Sequence, residues 1–311
     1  MKVAVIGASG YSGGELLRLL AMHPEFECHA AIAHTQAGEL IASVHPQLTG
    51  TYSDTFKTFD PKLVEDSELI FLALPHGESG KLIGDHEKTF AGKKIIDLGA
   101  DFRLTSQTSW TKYYSGTHWG KWQYGLPELA GARAKIASAE RIANPGCYAT
   151  AIALSLAPFA ALGARVNLDD VVITAASGTT GAGRSAKINL IGSEVMNSIS
   201  AYKVGGVHQH TPEIEECLSA ITDQDVKISF TPILAPMPRG ILSTITARLS
   251  KSLSTEQVHS LYSSFYKNDY FVDVLQIGQM PKTGSLTGSN KIQIQVAVDA
   301  HTQRLIISVA I

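Results

Sequence analysis

Of the three cysteines in the chain, Cys28, Cys147 and Cys217, only Cys147 has neighbours that suggest chemistry. Asn144-Pro145-Gly146 is a turn-forming lead-in, and the Ala- and Leu-rich run from Cys147 to Leu162 reads as one long helix. A sulfur delivered by a turn to a helix start meets the positive end of the helix dipole, which favours a thiolate, and faces a cleft rather than a core. Cys28 and Cys217 lack such a setting and read as inert buried thiols. An odd, sparse cysteine set without CxxC spacing argues against a disulfide framework and a zinc site, so no metal is expected.

The segment Val207-His208-Gln209-His210-Thr211-Pro212-Glu213 sets two histidines ahead of a proline that can start a helix. Paired with a nucleophilic cysteine, such a histidine is a candidate acid/base, with His208 preferred over His210 and Glu213 able to orient a ring. HxH is also metal-ligand spacing, but no third ligand accompanies it. Ser177-Gly178-Thr179-Thr180-Gly181-Ala182-Gly183-Arg184 offers main-chain N–H groups, hydroxyls and a cation to an anionic substrate. Arg103, after the apolar run ending at Leu98, and Arg239, in Pro236-Met237-Pro238-Arg239-Gly240, are further candidates for a phosphate, although arginines more often serve surface ion pairs.

A second kind of site opens the chain. Gly7-Ala8-Ser9-Gly10-Tyr11-Ser12-Gly13 is a GxxGxxG loop between an apolar strand (Val3 to Ile6) and a helical run through Leu16, Leu17, Leu19 and Leu20. At a first strand-to-helix junction such a loop holds a dinucleotide pyrophosphate, which makes Gly7, Ser9, Gly10, Tyr11, Ser12 and Gly13 cofactor candidates. The next strand ends in Ala33-His34-Thr35-Gln36 without the carboxylate that binds the ribose hydroxyls of NAD. His34 and Thr35 therefore join the candidates, and NADP is favoured. A dinucleotide loop with a nucleophilic cysteine points to a thioester reduced by hydride.

The elements that must position these residues alternate in the first half. Strands are expected at Glu27 to Ile32, Leu69 to Leu74 and Lys94 to Leu98, with helices near Gly38 to Val44 and Glu78 to Thr89. This implies an α/β, Rossmann-like, doubly wound, mostly parallel sheet over residues 1–146. Strands around Val171 to Ala176, Lys227 to Ile233, Ser243 to Leu249 and Lys291 to Val298 imply an α+β catalytic domain with a mixed sheet over 147–311. Trp110 to Leu129 is aromatic and turn-rich and reads as an excursion without regular structure.

Composition bounds the partners. Lys plus Arg number 26 against 28 acidic residues, so nothing draws nucleic acid or an anionic membrane, and a small molecule is favoured. Glycines interrupt the N-terminus too soon for a signal peptide, and no later window approaches the roughly 18 apolar residues of a membrane span, so a cytoplasmic protein is expected.

The motifs in order, GASGYSGGELLRLL at 7–20, HPQLTG at 45–50, FLALPHG at 71–77, DLGADFRL at 97–104, YGLPEL at 124–129, NPGCYAT at 144–150, SGTTGAGR at 177–184, HQHTPEIEE at 208–216 and PRGILSTI at 238–245, closely resemble N-acetyl-gamma-glutamyl-phosphate reductases, relatives of aspartate-semialdehyde dehydrogenase. The resemblance implies NADPH-driven reduction of an acyl phosphate, N-acetylglutamyl 5-phosphate, to the semialdehyde in arginine synthesis. It assigns the nucleophile to Cys147 and the acid/base to His208, with His210, Glu213, Ser177, Arg184 and Arg103 as substrate or phosphate contacts, in a homo-oligomer, tetramer or dimer. Ala149 stands where the family usually has Pro, and Gln209 where Arg is usual. Beyond the position of Ile311 the family usually continues into a glycine-rich helix that returns to the first domain; a real truncation there would weaken NADP binding. Rival readings are a sister reductase acting on an aminoadipyl phosphate in lysine synthesis, an NADP-binding protein that has lost catalysis, and a Cys/His hydrolase.

Overall fold

Val3 and Val5 face one side of the first strand and Ala4 and Ile6 the other, and all four are buried in separate apolar clusters. A strand buried on both faces belongs inside a parallel sheet covered by helices on both sides. The computed structural model, which describes all of residues 1–311, shows that arrangement. Its first unit is Met1–Pro127 with Gly131–Pro145, and its second is Glu128–Ala130 with Gly146–Ile311.

In the first unit the chain runs β1 (Lys2–Ile6), α1 (Tyr11–Ala21), β2 (Glu27–Ile32), α2 (Ile41–Val44), α3 (Pro61–Glu65), β3 (Leu69–Leu72), α4 (Glu78–Asp85), α5 (Glu87–Phe90), β4 (Lys94–Asp97), α6 (Gln107–Tyr113), β5 (Gln123–Tyr124), α7 (Ala132–Ser138) and β6 (Arg141–Ala143). The strands lie in the order β2-β1-β3-β4-β6-β5, and all pairs are parallel. Because β1 is flanked by β2 and β3, the order reverses beside the end of β1, where an open α/β sheet binds ligands. The glycine loop begins there. The Trp110 to Leu129 stretch differs from the expected excursion: Trp110 is buried within α6, which Ser106 caps through the amide of Ser109, and Gln123–Tyr124 forms the edge strand. The helical signal over 78–89 resolves into α4 and α5.

The second unit contains α8 (Cys147–Leu156), α9 (Phe159–Leu162), β7 (Val166–Ser177), α10 (Gly192–Val195), β8 (Ser200–Ala201), α11 (His210–Thr222), β9 (Ile228–Leu234), β10 (Ile241–Leu249), α12 (Thr255–Phe265), β11 (Val272–Val274), β12 (Ile292–Asp299) and β13 (Arg304–Ala310). The sheet order is β11-β12-β13-β10-β7-β9-β8, the expected mixture of parallel and antiparallel pairs. Burial alternates along β10, so one face is covered and one open. Tyr262 and Tyr266 tie α12 to α8 by donating to the carbonyls of Ser155 and Leu154.

The single helix expected from Cys147 to Leu162 is broken at Pro158, which has no N–H to continue it. Contrary to the sequence reading, the 19-residue stretch Cys147–Arg165 is long and apolar enough to cross a membrane by length and composition. Its side chains are mostly buried inside the protein, as in a core helix, and Tyr148 through Leu156 form an unbroken buried run save for Thr150.

Candidate active site

Cys147 is exposed and is the first residue of α8, with Gly146 at the N-cap. The helix dipole therefore favours negative charge on the sulfur. The main-chain N–H of Gly146 donates to Glu213 Oε1 at 2.8 Å, and Glu213 is 2% exposed in the first turn of α11. Glu213 is thus an anchor for the turn that carries the cysteine, where the sequence suggested a ring-orienting or substrate-binding carboxylate. Thr150 closes the turn further, its amide and hydroxyl both donating to the Gly146 carbonyl at 2.8 and 3.0 Å.

His208 is 6% exposed, and the rings of Tyr148, Tyr202, Phe230 and His210 meet it edgewise at centroid distances of 5.4, 5.7, 5.2 and 5.0 Å. Its Nδ1 accepts the main-chain N–H of His210 at 3.1 Å. A nitrogen that accepts carries no proton, so the neutral ring holds its proton on Nε2. Burial, helped by the nearby His210 and Lys203, pushes its pKa down to about 3. Near neutral pH the ring is therefore an Nε2–H donor. His210 is half-buried at the start of α11, 5.9 Å from the Tyr148 ring.

Tyr148, next to the cysteine, was not singled out from sequence. Its hydroxyl lies 3.1 Å from that of Tyr202, and burial pushes its pKa well up, with the hydrogen bond to Tyr202 adding to the rise. Only the placement of an aromatic residue one position after the cysteine could have marked it.

Ser177 ends β7, buried, its hydroxyl donating to the Gly178 carbonyl at 3.0 Å. The loop after it does not hold its first amides out for an anion. Those of Gly178, Thr179 and Thr180 donate to the carbonyls of Gly240, Met237 and Pro238 at 2.9, 3.0 and 3.1 Å. A Cβ on Gly178 would come within 2.7 Å of the Arg239 amide, so glycine is what lets the two loops meet. The consequence is that Arg184 and Arg239, both exposed, ride on loops stitched together.

In the first unit Arg103 departs from expectation. It is 5% exposed, its Nε donating to the Asn144 carbonyl and an Nη to the Leu98 carbonyl, both at 2.8 Å. These bonds place it as a holder of the Asn144 main chain rather than as an open phosphate contact at a cleft mouth.

The glycine loop is built by close approach. Gly7 has φ +87°, and a Cβ on it would overlap the Ala73 carbonyl; one on Gly13 would come within 2.5 Å of the Gly7 oxygen. The amides of Gly7 and Ala8 both donate to the Ile32 carbonyl, at 3.0 and 2.9 Å, and that of Gly10 to Gly7 at 3.2 Å. The donors left for a pyrophosphate are the first amides of α1, those of Tyr11, Ser12 and Gly13, which helix geometry leaves without an upstream partner. His34 and Thr35 are exposed beyond β2. Gln36, missed from sequence as a site residue, accepts from Ser9 Oγ at 2.8 Å and Thr35 Oγ1 at 2.6 Å, joining the two ends of the loop region. The bare main chain and glycine-dependent approach fit a dinucleotide.

Two family models match the chain: the semialdehyde dehydrogenase NAD binding domain over residues 2–139 and the semialdehyde dehydrogenase dimerisation domain over residues 147–311. The N-acetyl-gamma-glutamyl-phosphate reductase of Acidothermus cellulolyticus is 51% identical over 100% of this chain and 89% of its own length. That of Salinispora tropica is 50% identical over 99% and 88%. Among solved structures, aspartate semialdehyde dehydrogenase II complexed with ASA from Vibrio cholerae matches at TM-score 0.72 and 14% identity, covering 99% of this chain and 92% of that one. Aspartate semialdehyde dehydrogenase with NADP from Candida albicans matches at 0.67 and 16%, with coverage of 99% and 92%. These two share the fold, while identity near one half over the full chain decides the family: the chain belongs to the N-acetyl-gamma-glutamyl-phosphate reductases, oxidoreductases of the semialdehyde dehydrogenase family.

Proposed function

We propose that the chain reduces N-acetyl-L-glutamyl 5-phosphate to N-acetyl-L-glutamate 5-semialdehyde and phosphate through a thioester on Cys147, in arginine synthesis in the cytoplasm. The observation that carries this reading is the exposed Cys147 at the start of α8, its turn fixed by Glu213. The thiolate attacks the acyl carbon, the carbon–oxygen bond to phosphate breaks, and phosphate leaves, taking up the one proton the overall reaction consumes. Tyr11, Ser12 and Gly13 through their amides, with Ser9, Thr35 and His34, would hold NADPH, which would supply the hydride for reduction of the thioester. Collapse of the resulting tetrahedral carbon releases the aldehyde and restores the thiolate.

His208 serves this sequence as a hydrogen-bond donor from Nε2 to the carbonyl oxygen as charge builds on it, a role filled by a neutral histidine elsewhere. A neutral imidazole whose Nδ1 is already engaged does not fit the acid/base role expected from sequence. Arg184, Ser177 and His210 are the substrate contacts of this reading. The open face of the second sheet, with Val172, Thr174, Leu242 and Thr244 exposed, is where a second copy would pack in a homo-oligomer.

The test supplies N-acetylglutamate 5-semialdehyde and NADP and follows NADPH. Formation only with inorganic phosphate, lost in Cys147→Ala, is the expected result; no turnover by the folded wild type overturns the reading.

A further inference from the structure

His45, in the HPQLTG segment, has no role in the site described so far. It is 3% exposed, and its ring lies flat against the first turn of α1: a Cβ on Gly14 would come within 2.5 Å of its Cε1 and 2.6 Å of its Nδ1. Across that glycine slot its Nε2 stands 2.9 Å from the Ala8 carbonyl oxygen. A carbonyl oxygen only accepts, so Nε2 carries the proton. The ring is held by its own backbone, whose amide donates to Ile41 at 2.8 Å and whose carbonyl accepts from Leu48 at 2.9 Å, and by the edgewise Phe56 ring at 6.0 Å.

The bond between His45 and Ala8 fixes the carbonyl of the Ala8–Ser9 peptide in the middle of the glycine loop, whose Gly7 and Ala8 amides are themselves held by the Ile32 carbonyl. We propose that His45 is a positioning residue for the cofactor: through the slot at Gly14 it fixes the Ala8–Ser9 peptide, and with it the loop that leads into the amides of α1 on the dinucleotide pyrophosphate. This rests on the cofactor reading above.

The experiment titrates NADPH into the full chain by nicotinamide fluorescence, for wild type, H45A, H45N, H45Q, G14A and the G14A/H45A double variant. H45A and H45N should weaken Kd about tenfold, as the loss of one buried hydrogen bond does. H45Q, whose Nε2 reaches the position of the ring Nε2, should stay within about threefold of wild type. G14A should weaken binding in the wild type yet add less than about twofold in H45A, because the ring it displaces is gone. KM for NADPH should carry the change, with kcat affected less. H45A within about twofold of wild type, equal losses in H45N and H45Q, or an additive G14A effect would each overturn the inference while leaving the cofactor reading standing. A folded wild type that binds no NADPH would overturn both.

Discussion

His208→Phe separates two tasks a histidine near a reactive cysteine can perform. Phenylalanine keeps the edgewise packing against Tyr148, Tyr202 and Phe230 but removes both nitrogens. If Nε2–H serves the oxyanion, the loss is that of one preorganised donor, about 10²–10³ in kcat or about 3–4 kcal/mol. Because the His210 amide loses its acceptor, stability should also fall by about 1–3 kcal/mol. Two assays are run side by side: phosphate-dependent NADPH formation, and alkylation of Cys147 by iodoacetamide across pH. Turnover should drop while alkylation stays within about threefold of wild type at each pH, because in the proposed reading the helix start and not His208 activates the sulfur.

The titration of the ring sharpens the test. With its pKa pushed down to about 3, His208 gives no acid limb in kcat/KM between about pH 5 and about pH 8. Its contribution to stability is present above the unfolded value near 6.5 and is lost as pH falls toward 3, since the unfolded chain takes up the proton first. An acid limb near 6.5 that vanishes in His208→Phe, or alkylation slowed in proportion to turnover, would make His208 a base and refute the donor role.

Glu213→Ala should lower kcat at least about tenfold by leaving the buried Gly146 amide without its acceptor, while Glu213→Gln, which can still accept, should lose less; equal losses would mean that the charge matters and not the anchor. Arg103→Met removes two charged donors from main-chain carbonyls and should reduce unfolding free energy by about 3 kcal/mol together with kcat, whereas a rise in KM for phosphate at unchanged stability would restore the phosphate-contact reading. Asp97, wholly buried with Oδ2 unpartnered, has its pKa raised to about 6, chiefly by burial. Its protonated form is the one the fold prefers, so the stability of wild type relative to Asp97→Asn should fall by about 3 kcal/mol as pH rises through the window from 3.8 to about 6, measured by denaturant titration; a difference independent of pH would refute the shift.

Much of the fold was legible where local pattern and tertiary placement agree. The β1–loop–α1 unit is marked by an apolar run, close-approach glycines and a helical leucine spacing, and the structure keeps all three. The edge strand Gln123–Tyr124 was not legible, because two residues at a sheet edge carry no periodicity. The short helix around Trp110 was hidden among aromatic and turn-forming residues, although the Ser106 cap was a usable signal. Residue types and neighbours marked Cys147 and the His208 segment as candidates, whereas the contact of His208 Nδ1 with the amide two residues along, on which the proposed donor role rests, was not legible.

Arg103, Glu213, His45 and His208 have one feature in common: each hydrogen-bonds main-chain groups of the loops around the candidate sites. Arg103 holds the Asn144 carbonyl, Glu213 the Gly146 amide, His45 the Ala8 carbonyl, and His208 is itself held by the His210 amide. Loops have no ladder to satisfy their N–H and C=O groups, so a buried loop needs side chains that do so. Arg103 and Asn144 are 41 residues apart and Gly146 and Glu213 67 apart, beyond the reach of any spacing rule. A charged residue beside a reactive motif is therefore as much a candidate for aiming the backbone as for touching substrate. Loss of such a residue should move reactive atoms before it removes any contact with the ligand, which is why the substitutions above are read in kcat, alkylation and stability together.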